Sequence, residues 1–369
     1  MDADVIVVGA RVAGSLLGSL LGSLGHRVFV LDRAEFPSDT LSTHFFRTPA
    51  FHAFARMGCL PEILNAAPHL TAYFNDLDGH TFTEPAEGPP ESPFALCVRR
   101  VTLDQILVHR ASATQNVTLV QRSRVTDLIE EDSRVIGVVW SDGAQEHRAR
   151  ARAVVGADGK GSFVASRLRP ALEHAEPVGR AMYYAYFEGV QHQPGPAAEF
   201  HYRGDNLVYV FPSDGGLTLI AASVPISEFP AFRRNPEGSL LAEIRRRDAL
   251  WPRVEQAHRV GKVLGSGSIP GRKRRPYGPG WALVGDAGWV MDPWSGQGID
   301  QAATHALYLS EALHAFLGGE AAWDTAMAEY HRRRDEFTAK TYDRTCRYAR
   351  DLTTLTRGAL VKRGLLASN

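Results

Sequence analysis

Val5-Ile6-Val7-Val8-Gly9-Ala10-Arg11-Val12-Ala13-Gly14, with Asp32 further on, is the stretch that decides the fold. A short apolar run of strand character stops at Gly9, and a helical pattern runs from Val12 to Leu24. A helix N-terminus offers unpaired backbone N–H groups and a positive dipole end, which suits a pyrophosphate. The small residues Ala13, Gly14, Ser15, Gly18, Ser19 and Gly22 recur along the helix, although its glycines and serines have poor intrinsic helix propensity. They make sense if the helix lies so close to a sheet that larger side chains would push it away. Gly25 closes the helix, and Arg27 to Leu31 forms the next strand. The unit is a strand–helix–strand crossover between parallel strands. Asp32 follows Gly9 by 23 positions, where a carboxylate holds ribose hydroxyls. Gly9 and Gly14 occupy the first and third glycine places of G-x-G-x-x-G, but Arg11 occupies the second. Either the phosphates sit further out, or the Arg11 side chain turns away and covers them.

Two later segments end other strands with an acid and glycine. The first is Val154-Val155-Gly156-Ala157-Asp158-Gly159, whose Asp-Gly pair alone reads equally well as a plain turn. The second runs Trp281-Ala282-Leu283-Val284-Gly285-Asp286, then Asp292-Pro293-Trp294-Ser295-Gly296-Gln297-Gly298. Its glycine-rich helix start is placed to stabilise negative charge on a bound ring system.

The bulk composition narrows the partners. Lys plus Arg total 41 and Asp plus Glu total 41, so no overall charge draws the chain to nucleic acid or an anionic membrane. The basic runs Arg272-Lys273-Arg274-Arg275 and Arg332-Arg333-Arg334 read as surface. Cys59, Cys97 and Cys346 share no metal-ligand or CxxC spacing, which fits a reducing cytoplasm, and no metal site is expected. No apolar run approaches the roughly 20 residues needed to span a bilayer. The strand pattern begins by the fourth residue, so no signal peptide is expected and the protein is read as cytoplasmic.

Periodicity organises the rest. Helices are predicted at Thr48 to Met57, Thr102 to Ala113, about 235–248, Gly298 to Leu317 and most of Ala321 to Ala349. Pro85 to Pro93 reads as a surface loop, and Val117 to Val120 as a strand. Val125 to Ile129, Val135 to Trp140 and His147 to Ala151 suggest a small antiparallel ribbon. From Ala181 to Val224, aromatic residues such as Tyr184, Tyr186, Tyr209 and Phe211 are spread over alternating runs, the pattern of an antiparallel sheet. The predicted class is α/β: a Rossmann-like domain with an inserted antiparallel β-sheet domain and C-terminal helices. Its expected division is 1–75, 99–176 and 260–318 for the nucleotide domain, 76–98 and 177–259 for a substrate domain, and 319–369 for a helical segment.

With its three motifs in this order, the chain resembles the FAD-dependent monooxygenase superfamily of aromatic hydroxylase type, which also contains flavin-dependent halogenases and geranylgeranyl-type reductases. The resemblance runs from about residue 3 to residue 318. It implies FAD as cofactor and NAD(P)H as reductant. It places the ADP part of FAD on Gly9, Gly14 and Asp32, with Arg11, Val12, Ala13 and Arg33 also expected among the cofactor-binding residues. It links Asp158 and Gly159 to both nucleotides, and it sets Asp286 on the ribityl chain. Pro293, Gly296, Gln297 and Gly298 then lie against the isoalloxazine ring, and Arg100 near the FAD at a helix start. The stretch Phe36-Pro37-Ser38-Asp39-Thr40-Leu41-Ser42-Thr43-His44 is similar to one in bacterial members, so His44 and Arg47 face FAD or substrate, or are simply solvated or hydrogen-bonded. His44, Pro293 and Trp294 are the pocket candidates, and no catalytic acid or base is assigned.

The resemblance implies an NAD(P)H-dependent monooxygenase that hydroxylates or epoxidises a small aromatic or polyketide-like substrate with molecular oxygen through a flavin hydroperoxide. The alternatives are a flavin-dependent alkene reductase of isoprenoid type, a halogenase, and a flavin-binding protein without turnover. The Trp-x-Trp-x-Ile-Pro signature of tryptophan-type halogenases is missing. Oligomeric state is left open.

Overall fold

A computed structural model describes residues 2–90 and 92–367. Its first sheet has six strands in the order Tyr277–Gly278, Trp281–Leu283, Ala153–Gly156, Val5–Val8, Val28–Leu31 and Val117–Val120. Five run parallel, and the edge strand Tyr277–Gly278 is antiparallel to its neighbour. Val5–Val8 is buried throughout, as a central parallel strand covered on both faces must be.

The helix Val12–Ser23 lies directly on this sheet, and its small residues are the reason it can. A Cβ on Gly14 would come within 1.7 Å of the Gly9 carbonyl oxygen. One on Gly18 would meet the Val30 side chain at 2.8 Å. The same helix packs against Gly298–Leu317 and Arg100–Ser112, so the crossover is sealed by helices.

The second large sheet has seven strands: His258–Ser266, Arg180–Glu188, Thr218–Pro225, Asn206–Pro212, Ala197–Arg203, Ala72–Leu77 and His80–Pro85. All neighbours are antiparallel except Ala72–Leu77 beside Ala197–Arg203. Two of its strands cross the expected borders. Ala72–Leu77 begins four residues before the border at 76, and His258–Ser266 runs past the one at 259. His258–Ser266 is held by the distant strand Arg180–Glu188, and Ala72–Leu77 by the distant Ala197–Arg203 together with its hairpin partner His80–Pro85 across Asp78-Gly79.

Arg124–Glu131, Arg134–Ser141 and Glu146–Arg150 form the expected three-stranded ribbon. A further ribbon, Leu172–Glu176, Gly271–Arg274 and Trp289–Val290, ties the two halves together. The helix Leu60–Ala66 was not read from the sequence. The helices Trp323–Arg350 and Thr353–Lys362 end the described chain. In the basic runs Lys273 pairs with Asp335, Arg332 with Glu329 and Glu336, and Arg333 with Glu311. Among the described residues, no helix is long and apolar enough to cross a membrane.

Candidate active site

A parallel sheet delivers the ends of its strands to one edge, and the crevice there is where α/β folds bind ligands. Here that edge carries Gly9, Asp32, Asp158 and Asp286, each just after a strand of the first sheet. They open into a cleft with a volume of about 880 Å³, near the upper end for small-molecule sites. Arg11, Val12, Ala13, Arg33, Arg100, Gly159, Pro293, Gly296 and Gly298 also line it. Gly14 and Gln297 do not. Gly14 lies behind the turn, where its role is contact with the Gly9 carbonyl, and the Gln297 side chain folds back onto the Ser295 carbonyl at 3.3 Å.

At the first turn Gly9 has φ +104°, a conformation that strains other residues, and a Cβ there would strike the Ala157 carbonyl at 2.6 Å. Asp32 braces this turn. Its two carboxylate oxygens accept from the backbone N–H groups of Ala10 and Ala34, each at 2.7 Å. Carboxylate oxygens have further lone pairs, and those of Asp32 remain at the cleft wall.

Arg11 resolves the missing glycine by turning away from the phosphate position. Its guanidinium donates to the Ser38 carbonyl at 3.0 Å, the Ser38 hydroxyl at 3.1 Å, the Asp39 carbonyl at 3.1 Å and Asp104 at 2.5 Å. It also lies over the Phe36 ring. The segment 38–43 lines the cleft, so Arg11 fastens one wall of it. Asp104 is fully buried and also accepts from Arg100 at 2.9 and 3.0 Å. Sequence reasoning assigned Asp104 no role. Its only signal was the i, i+4 spacing from Arg100 on one helix.

The acids at the other two strand ends are held ready to accept. Asp158 takes the Phe163 N–H at 2.7 Å on one oxygen, while its other oxygen is buried without a partner. Burial raises its pKa. Burial also pushes Asp286 up to about 6, against the pull of Arg100 and Lys160. Asp292 is likewise pushed by burial to about 6, with one oxygen capping Trp294 N and the other unpartnered. Lys160, unremarked in the sequence, lines the cleft beside this group.

Of the two readings of His44 the hydrogen-bonded one fits: as a pocket candidate it lines neither this cleft nor the smaller chamber beside it. Its backbone sits at φ +59°, which turns the ring into the second sheet, 2.7 Å from the Tyr186 hydroxyl. Burial drives its pKa down to about 3, with Arg100 adding to the effect, so it stays neutral. Arg47, by contrast, lines the chamber. It is anchored by buried Asp300, which accepts its backbone N–H at 2.9 Å and its Nε at 3.2 Å. Trp294 forms part of the chamber wall, and its indole N–H is spent on the Thr345 carbonyl at 2.9 Å. The other walls include Phe45, Phe200, Tyr209 and Phe211. Among the described residues, Glu173, His331 and Asp335 cluster outside the cleft, but the Lys273 ammonium already sits on Glu173 and Asp335.

The site suits a dinucleotide with a polyhydroxylated link. A turn that no Cβ can enter leaves backbone open to phosphates, the unpartnered oxygens of Asp158 and Asp292 await donors, and Asp286 faces the cleft without a hydrogen bond.

Comparison with known proteins agrees with this geometry. The chain is 28% identical to a kynurenine 3-monooxygenase of Salinispora arenicola, covering 84% of this chain and 72% of that protein. It is 27% identical to a digeranylgeranylglycerophospholipid reductase of Methanopyrus kandleri, covering 81% and 74%. Its fold is similar to that of the myxobacterial chondrochloren halogenase, with TM-score 0.84 and 25% identity over 92% of this chain and 81% of that one. The model of the FAD binding domain family matches residues 2–237 and 275–345. The chain therefore belongs to the FAD binding domain family, and it is an FAD-dependent oxidoreductase of the monooxygenase superfamily.

Proposed function

We propose that the protein is an NAD(P)H-dependent FAD monooxygenase that hydroxylates or epoxidises a small aromatic or polyketide-like molecule. The observation that carries this reading is the aromatic face of the second sheet, with Phe200, Tyr209 and Phe211, standing beside Pro293 and Gly296 at one end of the nucleotide cleft. In the net reaction, substrate, O2, NAD(P)H and a proton give the oxygenated product, NAD(P)⁺ and water. FAD, when bound, supplies the two-electron chemistry and the activation of oxygen.

The chain's own residues do the holding. Gly9 and the start of the helix Val12–Ser23 take the pyrophosphate, with Arg33 and Lys160 adding positive charge along the cleft. Asp32 takes ribose hydroxyls, and Asp158 and Asp286 take further hydroxyl donors. Pro293, Gly296 and Gly298 bring the start of the helix Gly298–Leu317 to the far end, where its dipole favours negative charge. The seven-stranded sheet is the substrate domain in this reading. Its Phe200, Tyr209 and Phe211 keep water from the reacting end.

Incubation of the FAD-loaded protein with NAD(P)H, candidate aromatics and ¹⁸O₂ tests the proposal. One ¹⁸O atom in the product is the expected result. Product formed equally well without oxygen would move the protein to the reductases.

A further inference from the structure

A tight turn of the second sheet carries Asp214 onto the nucleotide half. It joins the strands Asn206–Pro212 and Thr218–Pro225, and it rests on the start of the helix Arg100–Ser112. We propose that Asp214 is a positioning residue for the cofactor: through Arg99 and Thr102 it sets the helix start that presents Arg100 to the FAD cleft. FAD affinity then depends on a residue of the other sheet. The assignment rests on FAD occupying the cleft and holds whichever reaction follows.

Glycine makes the turn possible. Gly215 and Gly216 take φ +68° and +72°, the left-handed region, and a Cβ on Gly215 would come within 3.1 Å of the Arg99 guanidinium. The buried carboxylate delivered there has a partner on each oxygen. One oxygen accepts the Arg99 backbone N–H at 2.7 Å. The other accepts the Arg99 guanidinium at 2.9 Å and the Thr102 hydroxyl at 2.6 Å. Burial opposes ionisation, but these donors win and hold Asp214 below its ordinary pKa. Arg99 stands at the N-cap and its own side chain caps nothing, so Asp214 supplies the negative charge that a helix start favours. Beside it the Ser213 hydroxyl donates to the Cys97 carbonyl at 2.9 Å.

That contact lies one residue from the cleft. Arg100 follows Arg99 directly, lines the cleft and draws the pKa of Asp286 down against the push of burial. Asp104 takes its Nε and Nη2 at 3.0 and 2.9 Å and so fixes the guanidinium, while Asp214 fixes the backbone that bears it. An arginine held at both ends meets its ligand without first being ordered, which favours binding. By linkage, a docked turn that favours FAD is in turn favoured by FAD.

The test is a fluorescence titration of FAD-free protein with FAD, together with hydrogen exchange at 206–217 before and after FAD is added. In wild type, exchange at this turn should slow when FAD binds. Asp214→Asn should bind FAD about tenfold more weakly and lose that slowing, while Thr102→Val, which keeps the charge pair, should bind about threefold more weakly. Arg100→Gln should weaken FAD binding at least as much as Asp214→Asn. Combining the two should add little, because Asp214 acts through Arg100. Where Asp214→Asn does not fold, Thr102→Val with Arg100→Gln gives the same cycle. Glu199→Gln, in the charge network of the same sheet, is the control for general loosening and should leave FAD affinity unchanged. Wild-type affinity in Asp214→Asn would overturn the proposal, as would full additivity with Arg100→Gln. An equal loss in Glu199→Gln would show loosening of the sheet instead of positioning.

Discussion

The Arg11 guanidinium sits 2.5 Å from a carboxylate oxygen of Asp104, a residue 93 positions further along the chain and fully buried. This contact turns a departure from the glycine pattern into a fastening. The residue that stands where a glycine would admit phosphates instead ties down the segment forming the opposite wall.

Arg11→Gly should therefore restore the glycine pattern and still weaken FAD retention. Asp104 keeps Arg100, so the fold survives, but Ser38 and Asp39 lose their donor. Hydrogen exchange at 38–43 should quicken in the FAD-free variant, and FAD should leave about tenfold faster, as expected for loss of charge-assisted hydrogen bonds. Slower FAD release in this variant would show that the glycine matters more than the fastening.

Asp286 makes FAD binding depend on pH. Its folded pKa of about 6 lies above the ordinary 3.8, so its contribution to stability is full below 3.8 and is lost as pH rises through 6. FAD-free Asp286→Asn should then be about 1–3 kcal/mol more stable than wild type at pH 7.5, with little difference at pH 4. A hydroxyl donor prefers the ionised carboxylate, so wild-type affinity for FAD should rise from pH 5 to pH 7. Titration of FAD fluorescence across that range checks this; the variant should bind more weakly and show a flatter profile.

Gly14 and Gly25 separate close packing from backbone freedom. A methyl group on Gly14 meets the Gly9 carbonyl at 1.7 Å, so Gly14→Ala should cost about 3 kcal/mol or more, or prevent folding. Gly25 has φ +89° but nothing within 4 Å of the added carbon, so Gly25→Ala should cost only about 1 kcal/mol. Urea unfolding of the two variants gives the comparison, and similar losses would refute the close approach of the helix start to the Gly9 turn as the reason for Gly14.

A buried charge network in the second sheet should govern acid stability. His201 lies between Glu199 at 2.9 Å and Asp76 at 3.3 Å, with Arg253 and Arg203 on the same carboxylates. Burial works against ionisation, but the hydrogen bonds from His201 and the arginines win and hold both acids below their ordinary values. Such groups stabilise the fold above their ordinary pKa and lose that effect as pH falls through the lowered ones, so wild type should begin to weaken below about pH 4.5. Glu199→Gln should cost about 2 kcal/mol or more at pH 7, with the gap narrowing towards pH 3. Denaturant midpoints at the two pH values measure it.

Much of the nucleotide half was legible because its signals are local. A strand that must stop at a glycine, a helix of small residues and an acid at the next strand end all lie within Val5 to Asp32. The aromatic sheet was legible by alternation from Ala181 to Val224. Ala72–Leu77 was missed although it carries a local signal: Asp78-Gly79 turns it back onto His80–Pro85 as a hairpin, and its other edge pairs in parallel with the distant Ala197–Arg203. For His44 the sequence left two readings open, because its direction depends on a backbone angle and a partner tyrosine, neither of which is written in its neighbours.

By itself, then, the sequence determined the crossover unit and the acids at the strand ends, each from spacing along one short segment, while the cofactor was implied by the family resemblance that the three segments carry together. Tertiary structure alone decided which way Arg11 turns, that Asp104 holds two arginines, and that Arg47 reaches an aromatic chamber with its charge balanced by Asp300. The reason is physical. Backbone geometry and helix dipoles act over a few residues, whereas a buried ion pair or an aromatic box exists only after distant segments have met and excluded water.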